Sequence, residues 1–289
     1  MSRQFPALRG LAILLVVVNH SITLTLQAIR QSSLAPLPRW QTSLLVAVKN
    51  LGLVAVPIFL FLSGAYVVYA TRGKALGAAY RNVILGLRYV LTAYLLWSIV
   101  FYGLVYLLDG ETYSVIGYVR NLIVGYPFNF VPILIFFYLL SPLLVRSADR
   151  WPLSFLAVVF IYQLFSANVM APGILGFEFP GWTRWLTIPG LRLSLAIWAI
   201  FFPLGVVHGL RTDEFTDFVR RSLPALLVLT MLGYVGSVLH DLSLSTVAIA
   251  ELLFPVLAIF FAPAVGRDRI PAAAWLENLG RMAYGLYLT

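Results

Sequence analysis

The sequence predicts an all-α fold, a polytopic bundle of about nine transmembrane helices with the N-terminus on the cytoplasmic side. Three observations carry that expectation. Hydrophobic residues make up 61% of the chain and charged residues only 11%, where an ordinary soluble domain carries roughly 25% charge. Mean hydropathy is +0.92. The apolar residues gather in charge-poor windows of about 18 or more residues, the length a helix needs to cross a bilayer, and not in the alternating ten-residue segments of an outer-membrane barrel. In hydrocarbon every backbone donor and acceptor must be paired inside the protein, which then leaves helices.

Taken in order, the first window is Leu8 to Ala28. Arg3 and Arg9 before an apolar run imitate a signal peptide, but the run stays free of formal charge from Gly10 to Ile29 and lacks a clear small-residue cleavage site, so it reads as a span. Leu51 to Ala70 is the second window and Arg88 to Leu108 the third. The fourth, about Phe130 to Val145, is started and bent by Pro132 and Pro142. Trp151 to Met170, Leu193 to Leu210, Leu223 to Leu239 and Val247 to Ala264 follow, and Met282 opens a ninth that Thr289 cuts off. No internal repeat or flexible linker divides residues 1–289, which read as a single transmembrane domain.

The net charge of +9 does not point to nucleic acid, because the basic residues are scattered at helix ends and not gathered on one face. They act as topology signals. With the N-terminus inside, fourteen Lys and Arg fall on inner segments and six on outer ones: Arg30, Arg39, Lys49, Arg120, Arg184 and Arg192. With no cysteine, neither a disulfide framework nor a thiolate nucleophile is available. No metal-like spacing joins the histidines, and no metal is expected.

Ionisable groups inside spans are costly and read first as functional. Arg9 and His20 stand eleven residues apart on the first helix, which is about three turns plus 20°, so they share a face roughly 16 Å apart. An imidazole titrates near neutrality and can accept a proton from a hydroxyl; a histidine that merely bonds a neighbouring helix is the structural alternative. Arg9 is either a topology anchor or a cation for an anionic ligand. Glu251 is the one carboxylate deep in an apolar window, able to orient His20 or to pair with Arg9. His208 and His240 lie at window ends and read as interfacial.

The run LRGLAILLVVVNH, with His20 eleven residues after Arg9, resembles the first helix of the acyltransferase 3 family, polytopic membrane enzymes that acylate carbohydrates and exported metabolites. Val56 to Val67 (VPIFLFLSGAYV), Ala93 to Ser98 (AYLLWS), Phe130 to Leu144, Phe201 to Gly209 (FFPLGVVHG) and Leu279 to Thr289 are similar to later family motifs, in the family's order. Departures are Pro6 where aspartate is frequent, Ala93 where proline is usual and Ala283 where serine is usual. The resemblance implies a multi-pass protein of the bacterial inner membrane that moves an acyl group, most simply acetyl from acetyl-CoA, to a hydroxyl of an envelope or exported carbohydrate. His20 would then be the catalytic base, with Arg9 on the same helix face binding the anionic donor; Glu251 stands with them as a catalytic candidate from its place in an apolar window. Arg81 and Arg88 would hold the phosphates of the donor, and Ser63 and Gly64 would border the substrate channel. The expected partners are acyl-CoA, a carbohydrate or glycolipid acceptor and membrane lipids. The family's last helix continues past this point, so ten or more spans are expected in the full protein. A transporter or flippase using the same polar residues is the alternative; it would favour broken helices at matching places in two halves, and the sequence shows no such symmetry.

Overall fold

The structure is a computed structural model describing residues 4–32, 36–126 and 129–288, with side chains as far as Met282. The family-like segment from Ala283 to Thr289 therefore lies outside the described side chains. The described residues form thirteen α-helices and no strand. They are α1 (Phe5–Gln31), α2 (Arg39–Leu51), α3 (Ala55–Thr71), α4 (Leu76–Asp109), α5 (Val115–Val124), α6 (Phe130–Arg150), α7 (Pro152–Met170), α8 (Arg192–Trp198), α9 (Phe201–Leu210), α10 (Thr212–Arg221), α11 (Leu223–Asp241), α12 (Ile249–Ile259) and α13 (Ala273–Leu288).

Six helical segments are long and apolar enough to cross a bilayer: α1, Arg39–Thr71, α4, α6, α7 and α11. The α8–α9 pair, bent by 48°, makes a seventh if it is one span. Each apolar window of the sequence holds a helix, but their lengths differ from expectation for physical reasons. The second window grows to 33 residues because α2 runs through a single 3-10 turn at Gly52–Val54 into α3; this puts Lys49 on a helix and not in a loop. Nothing between Ala75 and Arg88 breaks a helix, so α4 reaches 34 residues. At about 51 Å it exceeds the roughly 30 Å of hydrocarbon. It stops at Gly110, whose φ of 68° is a left-handed cap. The eighth window yields only the 11 residues of α12, about 16 Å, since Pro263 disfavours continuing the helix through Ala262. The windows also pass over α10, which turns Phe215 and Val219 inward and carries its acids in the first turn and its arginines in the last.

The chain divides into two compact units, Met1–Leu62 with Arg211–Ala283, and Ser63–Leu210 with Tyr284–Thr289. In the first, α1 and α13 cross at backbone distance. A Cβ on Gly10 would lie 1.9 Å from the Leu276 carbonyl oxygen, and one on Gly280 would lie 2.0 Å from that of Pro6. Small residues facing each other in this way are how membrane helices make close van der Waals contact. A polar seam joins α2 to α11: the Tyr234 hydroxyl donates to the Ala47 carbonyl at 2.8 Å, and the Asn50 amide donates to the Ser237 hydroxyl at 3.4 Å.

In the second unit Phe137 on α6 stacks on Phe202 of α9, ring centroids 5.0 Å apart. Pro142 inside α6 cannot donate to the Tyr138 carbonyl four residues back. The Ser141 hydroxyl does so instead, at 2.7 Å. Gln163 of α7, fully buried, repairs the larger break between α8 and α9. Its amide nitrogen donates to the Ile197 carbonyl at 3.0 Å and its oxygen accepts from the Ile200 N–H at 2.8 Å. A broken span survives in lipid only when its freed backbone groups are re-paired like this. Outward, α4 exposes Ile84, Leu85, Leu96, Ile99 and Leu107, an apolar surface suited to lipid and not to water.

Candidate functional site

The first unit holds Arg9, His20 and Glu251; the second holds Ser63, Gly64, Arg81 and Arg88. Arg9 and His20 ride on one uninterrupted helix, α1, so the predicted common face and the separation of about 16 Å both follow. Arg9 is half-buried and His20 is exposed.

What surrounds His20 is set by its neighbour. The Asn19 amide nitrogen donates to the Lys49 carbonyl at 2.9 Å, an acceptor in the last turn of α2 that also takes the Gly52 N–H. Gly52 makes this approach possible, because a Cβ there would lie 2.5 Å from that of Asn19. A carbonyl only accepts, so the network fixes which way the amide points and turns the Asn19 oxygen toward His20 Nδ1, 3.4 Å away. In the tautomer that makes this bond, Nδ1 carries the hydrogen. Nε2, the other ring nitrogen, is left as the basic atom.

From Lys49 the chain of polar groups continues. Its ammonium pairs with the Asp241 carboxylate at the end of α11. Next along that helix, His240 Nδ1 donates to the Ser245 carbonyl at 3.2 Å, so its Nε2 is the nitrogen 4.0 Å from Glu251 Oε1. Glu251 thus sits in the first turn of α12, half-exposed, and meets His240 where sequence reasoning looked to His20 or Arg9. It belongs with Lys49 and Asp241 at the Asn19 end of α1, ten residues or about 15 Å along the helix from Arg9.

Sequence reasoning missed Asn19, Lys49, Asp241 and His240 as one group. A signal existed: Lys49 and Asp241 are opposite charges at window ends. The distance between residues 49 and 241 in the chain hid the pairing. His208, read as interfacial, is instead buried on α9 at 2% exposure.

In the second unit Arg81 and Arg88 are exposed on α4, two turns apart. The Arg72 guanidinium donates to the Leu210 carbonyl at 3.4 Å. Ser63 is half-buried. Gly64 has a packing reason of its own, since a Cβ there would lie 2.0 Å from the Phe202 carbonyl oxygen. Among the described residues no group of three or more acidic, histidine or cysteine side chains is placed to hold a metal ion.

The geometry therefore offers an exposed imidazole on α1 whose Nδ1 faces the Asn19 amide oxygen. No curated protein and no solved structure matches the chain significantly. A family model does, over residues 4–289 and described as an acyltransferase domain, so the chain belongs to the acyltransferase 3 family.

Proposed function

We propose that the protein is a multi-pass O-acyltransferase of the bacterial inner membrane. It moves an acyl group, in the first instance acetyl, from cytosolic acyl-CoA to a hydroxyl of an envelope or exported carbohydrate, and residues 1–289 work as one transmembrane domain. The observation that carries this reading, beside the family, is the orientation of His20 by Asn19, which leaves Nε2 available as a base.

In the proposed step His20 Nε2 takes the proton of the acceptor hydroxyl while its oxygen bonds to the thioester carbonyl carbon. The carbon–sulfur bond then breaks, and the imidazolium returns the proton to the departing thiolate. General-base help of this kind is worth about 10² to 10⁴ in rate. Arg81 and Arg88 supply exposed cations for the donor's phosphates, and Arg9 a further guanidinium on the His20 face of α1. Ser63 borders the donor's path, with Gly64 keeping α3 close to α9. Glu251 acts through His240 as a charge partner of the polar group around Lys49.

The test is release of free CoA by the purified chain given acetyl-CoA and a panel of glycans. His20→Ala and His20→Gln should each lose transfer by at least about 10² while keeping the thermal midpoint of the parent. Full turnover in either variant would remove His20 from the mechanism.

A further inference from the structure

A second polar site lies in the loop between α7 and α8. The loop is stapled, beginning with Asn168, buried at the end of α7. Its amide nitrogen donates to the Phe177 carbonyl at 2.9 Å and its oxygen accepts from the Leu175 N–H at 3.2 Å. The Thr183 hydroxyl donates to the Pro180 carbonyl at 2.7 Å, and that of Thr187 to the Arg184 carbonyl at 2.7 Å. One guanidinium nitrogen of Arg192 donates to the same Arg184 carbonyl at 3.3 Å.

Beside these bonds lies a cavity of about 280 Å³ lined by Val169, Met170, Arg184 and Arg192. Arg192 Nε, packed away from solvent, makes no hydrogen bond, so the side chain presents its remaining guanidinium nitrogens to an incoming group. Among the described residues neither guanidinium has a carboxylate partner. A charged donor shut away from water without an acceptor is costly, and two cations at one cavity repel, so the pair favours an anion. Guanidinium forks match the oxygens of carboxylate and phosphate. Trp182 and Trp185, 63% and 87% exposed, stand three residues apart on the 3-10 turn Gly181–Leu186 and so share a face. Such rings suit the body of an amphiphile or the face of a sugar. The volume falls just under the roughly 300 Å³ of small-molecule sites, enough for an anionic group or a single ring.

We propose that this cavity binds an oxyanion, a phosphate or carboxylate carried on a lipid headgroup or on a sugar, through Arg192 and Arg184. The site stands on its own geometry and does not depend on acyl transfer.

The test titrates the full purified chain, in neutral detergent, with inorganic phosphate, glucuronate and glucose, following tryptophan fluorescence. In parallel, native mass spectrometry counts phosphatidylglycerol retained from mixed phosphatidylcholine nanodiscs. A soluble source predicts saturable binding of phosphate or glucuronate without glucose binding. A lipid source predicts retained phosphatidylglycerol and no saturable free anion. Either signal should weaken about tenfold in Arg192→Gln and in part recover in Arg192→Lys. Arg184→Gln, at an exposed position, should weaken it several-fold and serves if Arg192→Gln fails to fold. Binding unchanged in Arg184→Gln and Arg192→Gln, or no preference for any anion over its neutral counterpart, overturns the proposal.

Discussion

The side-chain amide of Asn19 donates to the backbone carbonyl of Lys49 at 2.9 Å, and this bond to the end of α2 turns the Asn19 oxygen toward His20 Nδ1. Replacing Asn19 with leucine keeps the branched shape, with somewhat larger methyl groups, and removes both ends of the link. His20 Nδ1 then loses its acceptor, and the ring can turn or present the other tautomer. The expected outcome is a fall in kcat of about 10- to 100-fold, drawn from the general-base contribution, with a displaced pH profile and donor KM within about twofold. Asn19→Gln, which can restore the amide, should recover part of the rate. The measurement is CoA release against pH; identical profiles for parent and Asn19→Leu would leave Asn19 a packing residue.

Gln163 offers a test of the second unit that is independent of chemistry. Its amide closes the break between α8 and α9 by pairing Ile197 O and Ile200 N. In Gln163→Leu both backbone groups are left buried and unpaired, each at a cost of about 1–3 kcal/mol. The variant should show a clearly lowered thermal midpoint in detergent and poor yield, whereas Gln163→Glu at acid pH can still offer both a donor and an acceptor. Parent-like melting of Gln163→Leu would mean that water or local repacking satisfies the break.

Much of this was legible in the sequence wherever a single helix carried the information. The common face of Arg9 and His20 needs only the pitch of an unbroken helix, and α1 supplies one. Apolar windows located every span-like helix because burial in lipid selects composition directly. What composition could not give was pairing across the chain. Lys49 with Asp241, and Glu251 with His240, are set by how α2, α11 and α12 pack, and no spacing rule connects residues so far apart. Helix lengths escaped for a related reason: polar residues such as Arg81 end an apolar window without ending a helix. Gln163 and Ser141 stood in the sequence as ordinary polar residues, and only the broken or proline-bearing backbone beside them shows their use.

Gly10 and Gly280 make a reciprocal contact, each occupying space that a side chain would need against the other helix's backbone. Gly10→Ala places a methyl 1.9 Å from the Leu276 carbonyl oxygen, a distance that α1 and α13 can relieve only by moving apart. Small-to-large changes in packed interiors cost about 1–3 kcal/mol. Both Gly10→Ala and Gly280→Ala should lower the thermal midpoint, and the double variant should cost less than their sum because one separation relieves both contacts. A strictly additive double variant would show that the two positions do not share one interface.

The Arg267–Glu277 pair sets a pH dependence outside the spans. Arg267 Nε donates to Glu277 Oε1, and a second guanidinium nitrogen donates to Oε2 at 3.1 Å. These hydrogen bonds hold the Glu277 carboxyl below its ordinary 4.5. A carboxyl with a lowered folded-state pKa stabilises the fold at pH above its unfolded value, and loses that contribution as pH falls through the lowered value. Both side chains are surface groups, so the effect is small and screened by salt. Parent and Arg267→Gln should therefore differ in thermal midpoint above about pH 5 in low salt, converge as the pH is taken below 4.5, and differ less at high salt. A gap that widens toward acid would reverse the sign and rule out this pair as its source.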